Sequence, residues 1–379
     1  MKKNKENGDE EDEIEAARKA AAQVSQGSDS TDFRKRRLTL TQRKQRRSSE
    51  ERRKSKEQRG SEDRVFQSME IGQVPEAPAP FSTDLVGHYS CHGIEPSWDD
   101  EGFTAKINQD RGCVVYPYNE AENQAVFAVF DGHGEKGDKV SHFVMSSIQD
   151  LLDKNSHFND DPTRALKETF VETNRLLSEK KIECMYSGTT AVLVLMIENK
   201  LFVANCGDSR AVMATQASGG LTAKNLSNDH NPNLPTEQRR IEKAGGFVSP
   251  PPEPGLSARV WLDPEMTQIG LAMSRSIGDH AVKHIGVIPE PEVQIFDIAP
   301  EDQFFILASD GVWEFIDSQE AVNIVQQHLG QGATLACQRL IETAAHRWKL
   351  NEGDYRDDIT AIVTRVPCLA TKIPENSSS

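Results

Sequence analysis

The 379-residue chain has no apolar run near the ~20 residues needed to span a bilayer. Its N-terminus is charged and lacks the apolar centre of a secretory signal. Met1 is followed by Lys2, so the second-position glycine required for myristoylation is missing too. Hydrophobic residues make up 36% of the chain, so part of it is expected to lie outside any core. The six cysteines, Cys91, Cys113, Cys184, Cys206, Cys337 and Cys368, form no CxxC pair and no regular spacing. That pattern sets aside a zinc site or a disulfide framework and favours free thiols in a reducing compartment. No segment repeats. These absences point to an intracellular chain, cytoplasmic and/or nuclear, with no membrane span.

Charge is distributed unevenly. The net value is −15, yet residues 1–80 hold 19 basic and 16 acidic side chains, leaving 25 and 43 for the rest. An acidic main body is a poor partner for nucleic acid, and none is expected there. Within the first 80 residues, Arg34–Arg59 carries 13 Lys and Arg against three Glu. Arg-rich clusters precede Thr39, Ser48, Ser49 and Ser55, which read as sites for a basophilic kinase. Phosphate at these hydroxyls would cut the local positive charge. Residues 1–80 lack apolar periodicity and read as a disordered, partly basic tail. The folded domain is expected over 81–368, entered through the Pro-rich Val74–Phe81, with a flexible tail at 369–379. Nothing demands more than a monomer.

Gln124–Gly134, QAVFAVFDGHG, organises the folded part. Its apolar opening reads as a buried strand that ends at Asp131. The flanking glycines let the backbone come close to a ligand. Here the Asp131 carboxylate, the Gly132 carbonyl and the His133 ring can converge. Further strands are expected at Gly112–Tyr116, Ala191–Ile197, Leu201–Cys206, Arg210–Ala214, Phe304–Ala308 and Ile359–Val366. Helical spacing marks Val140–Leu152, Pro162–Lys180, Pro235–Gly245, Ser318–Leu329 and Thr334–Trp348. Glu198–Lys200 and Gly207–Ser209 read as hairpin turns, and Gly246–Thr267 as an irregular surface flap.

Four acidic residues share one pattern. Asp131 and Asp310 each follow an apolar run and precede glycine, Asp208 lies in a Gly-Asp-Ser turn, and Asp357 stands just before the last strand. Carboxylates gathered at one rim of a sheet need cations to offset their repulsion. An oxygen-rich two-metal site of this kind suits phosphoryl chemistry.

The ordered motifs resemble the metal-dependent protein phosphatase 2C family of serine/threonine phosphatases. They are NQD at Asn108–Asp110, VFDGHG at Val129–Gly134, SGTTA at Ser187–Ala191 and ANCGDSRAV at Ala204–Val212. NDHNP at Asn228–Pro232, TEQRRIEKAGG at Thr236–Gly246 and LAMSRSIGD at Leu271–Asp279 continue the order. PEPEV at Pro289–Val293, FFILASDGVWE at Phe304–Glu314 and RDDITAIV at Arg356–Val363 complete it. The resemblance spans about Leu85–Pro367. It implies an α+β four-layer sandwich, two stacked antiparallel β-sheets flanked by α-helices. It also implies hydrolysis of phosphoserine and phosphothreonine in phosphoprotein substrates, by attack of a water bridging two Mg2+ or Mn2+ ions.

Residue by residue, Asp131 resembles the carboxylate that bridges both metals, and Gly132 the carbonyl ligand of the first. Asp310 and Asp357 resemble ligands of the second, and Asp110 a residue that acts through bound water. Asp208, Asp310 and Glu314 match positions that hold a third, weaker metal. His133 falls where the family places its general acid, while Asp279 matches a position read as mainly structural. Two departures stand out: Gln109 replaces a frequent Glu, and Lys106 stands where animal members use Arg to grip the substrate phosphate. The KINQD form, Lys106–Asp110, resembles plant and protist members. The alternative is a catalytically inactive scaffold on the same fold that binds a protein partner, and such a scaffold commonly lacks a metal carboxylate.

Overall fold

The computed structural model describes residues 79–97, 102–252, 256–366 and 368–369. The basic segment and the hydroxyls of Thr39, Ser48, Ser49 and Ser55 lie outside the described residues. The strands run β1 (Val86–Cys91), β2 (Ile94–Pro96), β3 (Phe103–Ala105), β4 (Arg111–Val115), β5 (Gln124–Phe130) and β6 (Gly132–His133). Then come β7 (Gly188–Thr189), β8 (Ala191–Ile197), β9 (Lys200–Cys206), β10 (Arg210–Ala217), β11 (Gly220–Asn225) and β12 (Phe247–Ser249). The last five are β13 (Arg259–Trp261), β14 (Ile277–Gly278), β15 (Glu292–Asp297), β16 (Asp302–Ala308) and β17 (Ile359–Arg365). The helices are α1 (Gly137–Asp153), α2 (Pro162–Ser178), α3 (Pro235–Lys243), the single turn α4 (Asp310–Trp313), α5 (Ser318–Leu329) and α6 (Ala333–Glu352).

Two five-stranded antiparallel sheets carry the fold, one ordered β1-β17-β16-β10-β11 and the other β15-β9-β8-β5-β4. Successive side chains of a strand point to opposite faces. In β5, Val126, Ala128 and Phe130 therefore pack with residues of α1 and α2, while Ala125, Phe127 and Val129 pack between the sheets. In β16, Phe304 and Ile306 pack with α5 and α6, while Phe305 and Leu307 fill the space between the sheets. Both faces are apolar, which is why these strands read as unbroken hydrophobic runs rather than alternating ones. The result is helix pair, sheet, sheet, helix pair, an α+β sandwich.

Local chemistry starts the helices. Asp161 caps α2 by accepting from the Arg164 N–H at 3.0 Å, with Pro162 in the first turn. Asp317 caps α5 by accepting from the Glu320 N–H at 2.8 Å. Among the described residues no helix is long and apolar enough to cross a membrane.

Two expectations are corrected. Gly207–Ser209 is not a hairpin turn: β9 and β10 belong to different sheets, so this segment crosses between them. The region read as an irregular flap contains the two-stranded ribbon β12–β13, with Phe247 opposite Trp261.

Candidate active site

Strand register collects the acidic residues. Arg111, which starts β4, pairs with Phe130, which ends β5. Ala191, which starts β8, pairs with Cys206, which ends β9. Arg210, which starts β10, pairs with Ala308, and Ala308 with Ala361 near the start of β17. Asp110, Asp131, Asp208, Asp310 and Asp357 flank these ends, so antiparallel pairing brings all five to one rim of the sandwich.

Hydroxyls tie the two sheets together there. Ser309 Oγ donates to Asp110 Oδ2 at 2.7 Å and accepts from the Thr360 N–H at 3.0 Å. Thr190 Oγ1 accepts from the Asp131 N–H at 3.0 Å and lies 2.7 Å from Ser209 Oγ. Asp358 accepts from the Gln109 N–H at 2.8 Å and the Gly93 N–H at 2.5 Å, fixing the KINQD segment against β17. Gly132 has no room for a side chain, because a Cβ there would stand 2.5 Å from the carbonyl oxygens of Gln109 and Gly137.

The carboxylates feel one another. Burial holds Asp131 well above the usual carboxylate range, and the charges of Asp110, Asp310, Asp357 and Asp208 add to the rise. Burial, then the charge of Asp358, pushes Asp110 up to about 7 despite the hydroxyls of Ser309 and Thr360. Asp110 Oδ1 is buried and accepts no hydrogen bond. Among the described residues no three His, Cys, Asp or Glu side chains form a ready-made metal ligand set. Like charges facing one another favour separation. The donor set nevertheless fits hard divalent cations: it is all oxygen, Asp110 is buried while Asp131, Asp208, Asp310 and Asp357 are half-buried and open to an ion, and its mutual repulsion is the kind a cation relieves. Gly132 is buried beside Asp131. Glu314 follows Asp310 by one helical turn, its N–H donating to the Asp310 carbonyl at 2.8 Å.

His133 is held by the small sheet β14-β7-β6. Its Nε2 lies 2.7 Å from Asp279 Oδ2, and Ser276 Oγ donates to the same oxygen at 2.7 Å. Lys283 Nζ donates to the Ser276 carbonyl at 2.7 Å. Burial lowers the proton affinity of His133, but the Asp279 charge and hydrogen bond outweigh it, and the net shift is upward. Burial acts to raise Asp279, but the charge and hydrogen bond of His133, the charge of Lys283 and the Ser276 hydrogen bond together outweigh it, and Asp279 is held below its ordinary value. Burial drives Lys283 down to about 8. Asp279 sits in the left-handed region, with φ 47° and ψ 46°, a conformation costly for a non-glycine residue. Gly188 leaves space for the pair, since a Cβ there would run into Asp279 Oδ2 and the His133 ring. Asp279, expected from the sequence to be mainly structural, hydrogen-bonds the His133 ring and so fixes its orientation. That partnership spans 146 residues and leaves no local signal.

Lys106 stands at the same rim. Its Nζ donates to Asp357 Oδ1 at 2.7 Å and lies 3.5 Å from the Tyr355 hydroxyl. Burial lowers the Lys106 proton affinity, but the charges of Asp357, Tyr355 and Asp358 raise it further than burial lowers it. Lys106 is thus a cation engaged with a carboxylate.

Comparison with known proteins places the chain. The protein phosphatase 2C profile matches residues 97–349. The "Probable protein phosphatase 2C 35" of Arabidopsis thaliana is 33% identical over 315 residues, 78% of this chain and 87% of that protein. The "Probable protein phosphatase 2C 61" of the same plant is 38% identical over 250 residues, 64% of this chain and 75% of that protein. Among solved structures, the serine-threonine phosphatase 2C of Toxoplasma gondii superposes with a TM-score of 0.64 at 22% identity, covering 76% of this chain and 98% of that chain. A C. elegans sex determining protein superposes with a TM-score of 0.60 at 20% identity, covering 80% and 69%. These two support the fold. The chain belongs to the protein phosphatase 2C family. It is a protein serine/threonine phosphatase, of a family dependent on Mg2+ or Mn2+, and its substrates are phosphoproteins.

Proposed function

We propose that phosphoserine and phosphothreonine are hydrolysed at the acidic rim with two divalent cations. The observation that carries this reading is the convergence of five carboxylates on one rim, with Asp110 Oδ1 buried and unbonded. Asp131 would contact both cations and the Gly132 carbonyl the first, with Asp310 and Asp357 on the second. Asp110 would act through water, and Asp208, Asp310 and Glu314 would hold a weaker third cation. When bound, the cations supply the positive charge that activates water for attack on phosphorus and neutralises the phosphoryl oxygens.

The chain's own part is orientation and proton delivery. Asp279 occupies His133 Nε2, which leaves Nδ1 as the nitrogen without a hydrogen-bond partner. The charge of Asp279 and its hydrogen bond favour the protonated ring. Nδ1–H is then the group that protonates the departing seryl or threonyl oxygen, which is a poor leaving group as the alkoxide. Ser276 and Lys283 keep Asp279 in place. Direct attack by water needs no cysteine nucleophile, and burial pushes Cys113, Cys206, Cys337 and Cys368 each up to about 12, away from thiolate character.

The test is phosphate release from a phosphothreonine peptide by the full chain with Mn2+, with Mg2+ and with EDTA, beside Asp131→Asn. Release that needs the cation and falls at least ~100-fold in the variant is expected. Absence of release from folded protein under every condition would favour the inactive-scaffold alternative.

A further inference from the structure

The crossing that carries Asp208 lies outside both sheet ladders. β9 ends at Cys206 and β10 starts at Arg210, so the backbone groups of Gly207 have no strand partner. Buried backbone groups need partners from elsewhere. One residue of the NDHNP stretch meets both. His230 Nδ1 accepts from the Gly207 N–H at 3.1 Å, and the His230 N–H donates to the Gly207 carbonyl at 2.9 Å. Gly207 has φ 119°, and a Cβ there would stand 2.6 Å from Thr190 Cγ2, so glycine alone fits. The neighbouring Asp229 grips the other end of the crossing. Its carboxylate accepts from Arg210 Nε at 2.9 Å and from Nη2 at 2.6 Å.

His230 is itself fixed: it is 2% exposed, and its carbonyl accepts from the Ser274 N–H at 2.8 Å. Because an N–H points at Nδ1, that nitrogen carries no proton and serves as an acceptor. Nε2 stands 3.7 Å from Glu292 Oε2, beyond hydrogen-bond reach. We propose that His230 is the positioning residue of Asp208. By holding both backbone groups of Gly207 it aims the next residue at the acidic rim, and so sets the affinity of the weaker third cation. This proposal rests on the cation reading given above. What the role requires is one acceptor at the Nδ1 position, in a place too buried for water to substitute. Asparagine carries its amide oxygen two bonds beyond Cβ, where imidazole has Nδ1. Glutamine carries it one bond further out and leaves the Gly207 N–H unpaired.

Two measurements on the full chain test it. Manganese binding is followed by the electron paramagnetic resonance signal of free Mn2+ for wild type, His230→Asn, His230→Gln and Asp208→Asn, with urea unfolding of each beside it. Asp208→Asn should lose the weaker ion. His230→Gln should bind that ion about tenfold or more weakly, while His230→Asn stays within about threefold of wild type. The tighter ions should change by less than about threefold throughout, since Asp131, Asp310 and Asp357 stand on other segments. A weaker site lost in Asp208→Asn but intact in His230→Gln would overturn this proposal alone, even if the urea midpoint of His230→Gln falls. Equal losses in His230→Asn and His230→Gln would do the same, because the acceptor would then not matter. A weaker site absent from wild type, or unchanged in Asp208→Asn, would overturn the third-cation reading and this proposal with it. The second measurement is residue-resolved hydrogen exchange of metal-free wild type, which needs no variant to fold. The Gly207 amide should exchange about 100-fold or more slowly than in an unstructured chain. Exchange at the unstructured rate would overturn the hold of His230 on Gly207.

Discussion

Replacing Glu237 by Gln tests whether the segment that carries Asp279 is anchored as the hydrogen bonds imply. Glu237 lies on α3 and its side chain is 3% exposed. Arg240 donates to Oε1 and Oε2 at 2.6 and 2.7 Å, and Arg275 donates to the same two oxygens at 2.8 and 3.0 Å. Ser274 Oγ adds a fifth bond at 2.6 Å. Ser274 and Arg275 lead directly into Ser276 and Asp279, so one carboxylate joins α3 to the support of His133. Burial acts to raise the Glu237 pKa, but Arg275, Arg240 and Ser274 outweigh it and hold the carboxyl well below its ordinary range. The folded chain therefore binds fewer protons here than the unfolded chain. The stabilisation is complete above the ordinary value of 4.5 and is lost as pH falls below it toward the folded value. Glu237→Gln leaves two guanidiniums facing a neutral amide. Breaking a buried pair costs about 3–5 kcal/mol, and the lower end applies because both arginines reach water in part. In urea that is a midpoint shift of about 1 M for a chain of this size. The assay is urea unfolding of wild type and variant at several pH values from neutral to acidic. The gap should be widest near neutral pH and should close as the pH drops below 4.5. A variant within about 1 kcal/mol of the wild type at pH 7, or a gap that stays constant on acidification, would refute the reasoning.

Other substitutions probe separate links. Ser309→Ala removes the donor to Asp110 Oδ2 and the acceptor of the Thr360 N–H. It should cost about 1–3 kcal/mol in chemical denaturation without added metal, with the loss reduced by Mn2+ if a cation takes over the Asp110 charge. Gly188→Ala places a methyl group against the His133–Asp279 pair. Its kcat on a phosphothreonine peptide should fall by about tenfold or more while circular dichroism keeps the wild-type shape. Asp279→Asn weakens the hold on His133, so kcat should drop about 10- to 100-fold, and substrates with better leaving groups should lose less. An equal loss for all leaving groups would place Asp279 outside proton delivery.

Much of the sandwich was legible where burial was complete. The run AVLVLMI became β8 over the expected Ala191–Ile197, and the expected helix Ser318–Leu329 matches α5 at both ends. Strands with exposed positions were not legible: β1 reads VGHYSC and β11 reads GLTAKN, neither of which shows a clean apolar alternation. The two-residue strands β6, β7 and β14 are too short for any period, yet they seat His133 beside Asp279. At the site, Asp131 and Asp310 were visible because apolar runs stop just before them. Their common rim depends on strand pairing, which composition does not encode. The bonds that define the rim join residues far apart in the chain: Ser309 and Asp110 are 199 positions apart, and Lys106 and Asp357 are 251. Gly207–Ser209 was misread for the same reason, because a short turn between two strands looks alike whether it closes a hairpin or crosses between sheets.

The central claim is that the acidic rim is a metal centre with Asp131 at its middle. Its most direct test is anomalous X-ray diffraction from crystals of the protein grown with Mn2+, for wild type and Asp131→Asn. The account predicts manganese peaks at the rim with Asp131, Asp310 and Asp357 among the ligands, absent or strongly weakened in the variant. Wild-type crystals with no manganese at the rim, or with peaks there that Asp131→Asn leaves unchanged, would contradict it.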